Sequence, residues 1–294
     1  MAQTQSVQHP AKAAASAARR EATSPWVVWL ERLGFLARGL IYFVIGVLAL
    51  QLALGAGGAT ANPTSAIQVI GHQPFGNVLL VLIALGLVGY ALWGLVRAFL
   101  DPLGRGSDAK GLIARAGFLF SGISYGLLLI PTFAALTGKP VGPAGAAAAG
   151  GGGGVPSGLL SGPAGHWLGI LVGIFWLVAG IGQIMVGYRK SFLHDLKLSA
   201  MSRDEQQTAT WLGQAGYIAR GIVFALLGVL ILQPGVAGAA AAKQSFDGAL
   251  ATLAHGPYGE VLLGAVALGL MLFGLYSALC AKWTPIERRT RRSA

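Results

Sequence analysis

Two arginines stand inside stretches that are otherwise apolar. Arg38 lies within Gly34–Leu54 and Arg220 within Gly213–Gln233, about one and two helical turns, respectively, from the start of each stretch. A guanidinium at mid-bilayer costs roughly 2.5–3.5 kcal/mol on insertion scales, so the placement asks for a chemical reason. Two readings are open. Near a helix end, the long side chain can snorkel to the headgroups or bond carbonyls of a neighbouring helix. Alternatively, both arginines line a shared interior and hold an anionic group. Tyr42, Ser121 and Tyr125 would then face the same interior, because they occupy related positions in their own segments. Glu31 is seven residues before Arg38, on the same helix face, and reaches it only if both side chains extend.

The histidines suggest a second chemistry. His72, His166 and His255 fall near the far ends of three apolar stretches, and histidine is a common metal ligand. With Glu260 they would form an outer-surface cluster fit for a metal or an acid–base reaction. Their spacing argues for something plainer. His166 is displaced by five residues relative to the other two, and only Asp247 and Glu260 supply nearby carboxylates. Hydrogen bonding at helix ends accounts for the histidines, and the helix dipole accounts for Glu260. There is no phosphate-binding loop, dinucleotide fingerprint, Ser/His/Asp set or paired-carboxylate site. No catalytic residue, metal ligand or cofactor is expected. The spans carry no Asp or Glu except Glu260 at an edge, which weakens an ion-coupled transporter.

The elements that position these residues follow from composition. Charged residues make up 11% of 294, hydrophobic residues 54%, and mean hydropathy is +0.66. An average soluble protein has about 25% charged residues, and so few charges could not cover a soluble protein of this size. The fold class expected is all-α and polytopic. Six stretches reach the roughly 20 residues a spanning helix needs: Gly34–Leu54, Gly76–Leu100, Leu112–Leu136, Gly165–Tyr188, Gly213–Gln233 and Gly259–Ala281. Ser24-Pro25 would start the first helix earlier, as an N-cap followed by proline. Residues 1–24 are polar and Ala-rich, read as a disordered tail with no signal-peptide core.

Charge sets the orientation. All of the 21 Lys and Arg except Lys139 and Lys243 fall on one side of the six spans. The positive-inside rule places that side, and both termini, in the cytoplasm. The net charge of +11 therefore implies contact with anionic lipid headgroups rather than nucleic acid, for which no motif is present. The terminal Glu287–Arg292 run reads the same way, with docking of a membrane-protein partner as its alternative. The single cysteine, Cys280, excludes an internal disulfide.

A repeat organises the chain. Trp29–Gly39 and Trp211–Gly221 share Trp-Leu, Gly-aromatic and Ala-Arg-Gly at an offset of 182 residues. Arg115, Gly117-Phe118, Gly122 and Tyr125 form a weaker copy at an offset of 83 from Arg32, Gly34-Phe35, Gly39 and Tyr42. His72-Gln-Pro-Phe-Gly76 matches His255-Gly-Pro-Tyr-Gly259, and Pro163-Ala-Gly165 supplies the middle Pro-x-Gly. The expected domains are hairpin repeats at 25–105, 106–195 and 196–282, then a basic tail at 283–294. Equal topology relates the three by rotation about the membrane normal, an approximate threefold axis, and disfavours an inverted-repeat transporter. Thr64–Ile70 and Asp247–Leu253 are expected to form short outer helices, and Ala144–Gly154 a flexible linker. Small-x3-small patterns such as Gly122-x3-Gly126 point to close helix packing.

On these motifs the chain resembles the bacterial membrane proteins of the domain of unknown function 1206 family, which carry a two-helix transmembrane repeat three times. The resemblance covers about residues 26–281, and copy 2 departs from it, with Ser121 where the others have Arg38 and Arg220. It implies a bacterial plasma-membrane location and brings no activity or site residue. Three function classes follow. The leading expectation is a structural, assembly or partner-binding membrane protein. The alternative is a small-solute or ion pathway at the pseudo-threefold centre. The second alternative is a membrane enzyme acting at the outer surface. Oligomeric state is not legible in the sequence.

Overall fold

The computed structural model describes residues 25–56, 61–99, 101, 106, 108–141, 163–232, 246–255 and 258–283. The two tails and the 144–154 linker of the sequence reading lie outside them. Among the described residues the regular structure is entirely helical. The α-helices are α1 (Pro25–Ala53), α2 (Pro63–Gly71), α3 (Gly76–Phe99), α4 (Ala109–Leu127), α5 (Leu129–Thr137), α6 (Pro163–Tyr188), α7 (Arg203–Leu232), α8 (Phe246–Ala254) and α9 (Gly259–Trp283). Six stretches are long and apolar enough to cross a membrane, and α4 with α5 makes one of them.

Local chemistry explains where two of the boundaries differ from expectation. The stretch expected as one helix from Leu112 to Leu136 breaks at Leu128. Pro131 causes this: it has no N–H for the Leu127 carbonyl, and its ring crowds that turn. Helix α7 starts at Arg203, ten residues before the expected start at Gly213. Ser202 and Glu205 form a reciprocal capping box there. The Ser202 N–H donates to Glu205 Oε2 at 2.9 Å, and the Glu205 N–H donates to Ser202 Oγ at 3.2 Å.

The two short helices lead into spans through one turn. Asn62 caps α2 by accepting the Ser65 N–H at 2.9 Å, and Ile67 and Ile70 face inward. In the turn that follows, Phe75 has φ 61° and its counterpart Tyr258 has φ 57°. This left-handed conformation reverses the chain between helices. A Cβ on Gly76 or Gly259 would run into the carbonyls of Gly71 or Ala254, which is why glycine follows the aromatic residue.

The long helices pack in a defined order. Helix α1 lies against α3 and α9, α3 against α4, α9 against α7, and α7 against α6. Helices α4 and α6 meet through aromatic rings, with Phe120 at 4.6 Å from Phe175 and 5.4 Å from Trp176. Glycines bring three of these pairs to backbone contact. A Cβ on Gly39 would stand 2.7 Å from the Gly274 carbonyl oxygen, one on Gly221 2.7 Å from that of Gly180, and one on Gly122 3.0 Å from that of Ala91. Gly122 and Gly221 stand at offsets of 83 and 182 from Gly39 in the sequence. Outward faces carry large apolar side chains at helical spacing, such as Val78, Val81, Leu82 and Leu85 on α3.

Candidate functional site

Arg38 enters from α1 and is only 6% exposed. Its Nε donates to Ser277 Oγ on α9 at 3.1 Å, and one terminal nitrogen donates to the Tyr90 hydroxyl on α3 at 2.7 Å. Ser277 in turn donates to the Phe273 carbonyl at 2.9 Å. The guanidinium lies 4.9 Å from the Phe35 ring centre, 5.2 Å from that of Tyr90 and 5.2 Å from that of Phe273. Snorkelling of Arg38 to the headgroups is therefore corrected. Two neighbouring helices supply acceptors and aromatic faces, and these replace water at lower cost than an unsatisfied charge.

Arg220 enters from α7 and shares the Phe273 ring, at 5.1 Å. It also lies over Phe224 at 4.7 Å and Tyr42 at 5.2 Å. Tyr42 meets Phe273 edge-on at 4.9 Å, and Tyr90 packs on Tyr125 at 4.5 Å. Ser121 lies beside the Tyr90 hydroxyl. The structure thus gathers Arg38, Arg220 and Tyr42 around one ring, Phe273, and sets Tyr125 and Ser121 beside Tyr90. Neither arginine makes an ion pair with a described carboxylate.

The two guanidinium groups are satisfied unequally. Among the described residues Arg220 Nε has no hydrogen-bond partner, and neither do the Tyr125 hydroxyl and Gln183 Oε1. Arg38 Nε has Ser277 Oγ as its acceptor, whereas the Tyr90 that accepts from a terminal nitrogen of Arg38 corresponds, at an offset of 183, to Phe273, which has no hydroxyl to offer Arg220.

Glu31 does not pair with Arg38. It is 2% exposed and binds Arg97 on α3 at 2.8 Å. Arg97 also lies over Trp93 at 5.1 Å and Phe118 at 5.5 Å. At offsets of 182 and 183 the chain has Gly213 and Cys280 at these places, and Phe192 lies against Gly213. That ring stacks on Tyr217 at 5.3 Å and meets Tyr276 edge-on at 5.2 Å. Arg97, Ser277 and Gln183 were not singled out by sequence reasoning. Each acts across helices, and spacing within one helix carries no signal for that.

The histidines stay apart from this centre. His72 and His255 are exposed at the ends of α2 and α8, with Nδ1 2.7 Å from the Gln68 and Ala251 carbonyl oxygens. That geometry puts the proton on Nδ1 and closes the last turn of each helix. Glu260 is exposed in the first turn of α9. The described residues contain no group of three metal-ligating side chains, and the His166 side chain lies outside them.

Comparison with known proteins places the chain. The family model described as Domain of Unknown Function (DUF1206) matches residues 33–101 and 215–284. Uncharacterized protein YxxB of Bacillus subtilis (strain 168) is 34% identical over 260 residues, covering 88% of this chain and 92% of that protein. The chain belongs to the DUF1206 family. The two segments matched by the DUF1206 model hold Arg38, Tyr90, Arg220, Phe273 and Ser277. No solved structure matches the chain.

Proposed function

We propose that this DUF1206 protein is a multi-pass bacterial plasma-membrane protein that binds a small anion at the Arg38–Arg220 centre. One observation carries the reading: two guanidinium groups share the Phe273 ring inside the helix bundle without an ion pair to any described carboxylate. Two like charges in a medium of low dielectric repel, and each lacks the counter-charge that would offset its desolvation. An anion supplies both. The basic side of the spans, read as cytoplasmic, concentrates anions at that end of the bundle. The three hairpins would surround this centre about an approximate threefold axis. The repeated contacts of Gly39, Gly122 and Gly221 support that arrangement.

The purified protein in nanodiscs of zwitterionic lipid tests the proposal. Replacing gluconate by chloride or phosphate is expected to raise the melting temperature of wild type and not of Arg220→Ala. An unchanged melting temperature in folded wild type, whatever the anion, removes the reading. The structural and partner-binding reading then stands, and it has its own support. Arg38 ties α1 to α3 and α9 through Tyr90 and Ser277, as polar bonds between membrane helices do. If anions bind, flux through liposomes decides whether the centre is a pathway or a static site.

A further inference from the structure

The unequal satisfaction of the two arginines names the kind of anion. Contacts at the α6–α7 interface repeat those at the α9–α1 interface. A Cβ on Gly39 would meet Gly274 O, Ala278 N and Ser277 Cβ, and one on Gly221 would meet Gly180 O and Ile184 N. The same register sets Gly180 for Gly274 and Ile184 for Ala278, so Gln183 stands where Ser277 stands. Ser277 is the residue that accepts the Nε–H of Arg38. Gln183 is its counterpart toward Arg220, yet Gln183 Oε1 and Arg220 Nε are each sealed from solvent without a partner. By this register the pair leaves one donor and one acceptor open across the same helix interface, with the buried Tyr125 hydroxyl also open in the electrostatic neighbourhood of Arg220.

We infer that the anion held at Arg220 is an oxyanion that carries its own proton, such as hydrogen phosphate, bicarbonate or a phosphomonoester headgroup. Its ionised oxygen accepts from Arg220 Nε and its hydroxyl donates to Gln183 Oε1. A halide or sulfate has no proton to give to the amide oxygen, and pairs here only with the Gln183 amide turned to present its nitrogen. A site built to hydrogen-bond a hydroxyl discriminates strongly against an analogue that lacks it. This inference rests on the two-arginine reading and makes Gln183 the residue that sets specificity.

The test is a titration of the full-length protein in zwitterionic nanodiscs at about pH 7, where sulfate is fully deprotonated and phosphate is not. Melting temperature is followed against phosphate, sulfate and chloride. The inference expects phosphate to act at concentrations at least about tenfold below sulfate, with Gln183→Leu bringing the two together. If Gln183→Leu fails to fold, Gln183→Glu tests the same point. Its carboxylate would satisfy Arg220 directly and is expected to abolish the response to phosphate. Nanodiscs containing phosphatidate separate the sources. A stabilisation that replaces the response to soluble phosphate identifies a lipid phosphomonoester, and its absence leaves the soluble oxyanion; the inference accommodates both. Equal action of phosphate and sulfate on wild type overturns the inference and leaves the anion site intact. No response to any anion overturns the two-arginine reading itself.

Discussion

Arg38 and Arg220 occupy one position of the repeat and share one aromatic ring, but their surroundings make different demands. Arg38 needs a fork that reaches Tyr90 and Ser277 at once. Lysine offers a point charge in place of that planar fork. Arg38→Lys is expected to lower unfolding stability by roughly 1–3 kcal/mol, the cost of leaving a buried partner unsatisfied. Unfolding by denaturing detergent measures it, and a wild-type midpoint would show that the two bonds add nothing. Glu31 gives a second expectation. Its carboxylate is buried against Arg97, so Glu31→Ala leaves that cation without its counter-charge and should cost roughly 3–5 kcal/mol, eased by the partial exposure of Arg97. A double-mutant cycle with Arg97→Met separates the pair's coupling from the cost of the orphaned charge. Sequence singled out the arginines because charge is rare in an apolar run. It was silent on Ser277 and Gln183, because a hydroxyl or amide on a distant helix looks like any other until the helices are brought together.

The elements were legible to the extent that their signals are local. Apolar length marked all six spans, and Pro-aromatic-Gly marked the turn in which Phe75 and Tyr258 take positive φ. Two local signals were passed over. The Ser202-x-x-Glu205 capping box extends α7, and Pro131 divides α4 from α5. The packing role of glycine separates cleanly by position. At Gly39 and Gly221 a methyl group would meet backbone atoms of the facing helix, whereas at Gly264 in α9 nothing lies within 4 Å. Gly39→Val and Gly221→Val should therefore each destabilise the fold by at least about 1–3 kcal/mol, as overpacking does. Gly264→Ala should be neutral or stabilise by up to about 1 kcal/mol through helix propensity. Equal effects of all three on the detergent-unfolding midpoint would contradict the assigned contacts.

At the scale of the whole molecule, charge distribution makes a topological claim that side-chain contacts do not. Lys139 and Lys190 lie at opposite ends of the helix bundle, and the positive-inside rule puts Lys190 in the cytoplasm. In a Cys280→Ala background, Lys139→Cys is expected to react with an impermeant maleimide from outside intact cells. Lys190→Cys should react only after the membrane is opened. The reverse pattern would invert the molecule and put the basic end of the bundle on the wrong side for the proposed anion. The repeat was legible in sequence because copies 1 and 3 keep their motifs. What set their two centres apart was not legible there, since it lies in the exchange of Tyr90 for Phe273 and of Ser277 for Gln183 on helices distant in sequence.

Locating the anion tests the central claim most directly. Crystals of the protein grown with arsenate, and separately with bromide, carry ions whose anomalous scattering marks their position. The account predicts a peak beside the Arg220 guanidinium, within about 3–3.5 Å of a donor nitrogen for arsenate. That peak should be absent in Arg220→Ala. Peaks confined to the surface of well-ordered wild-type crystals, with the arginine centre empty under both ions, would contradict it.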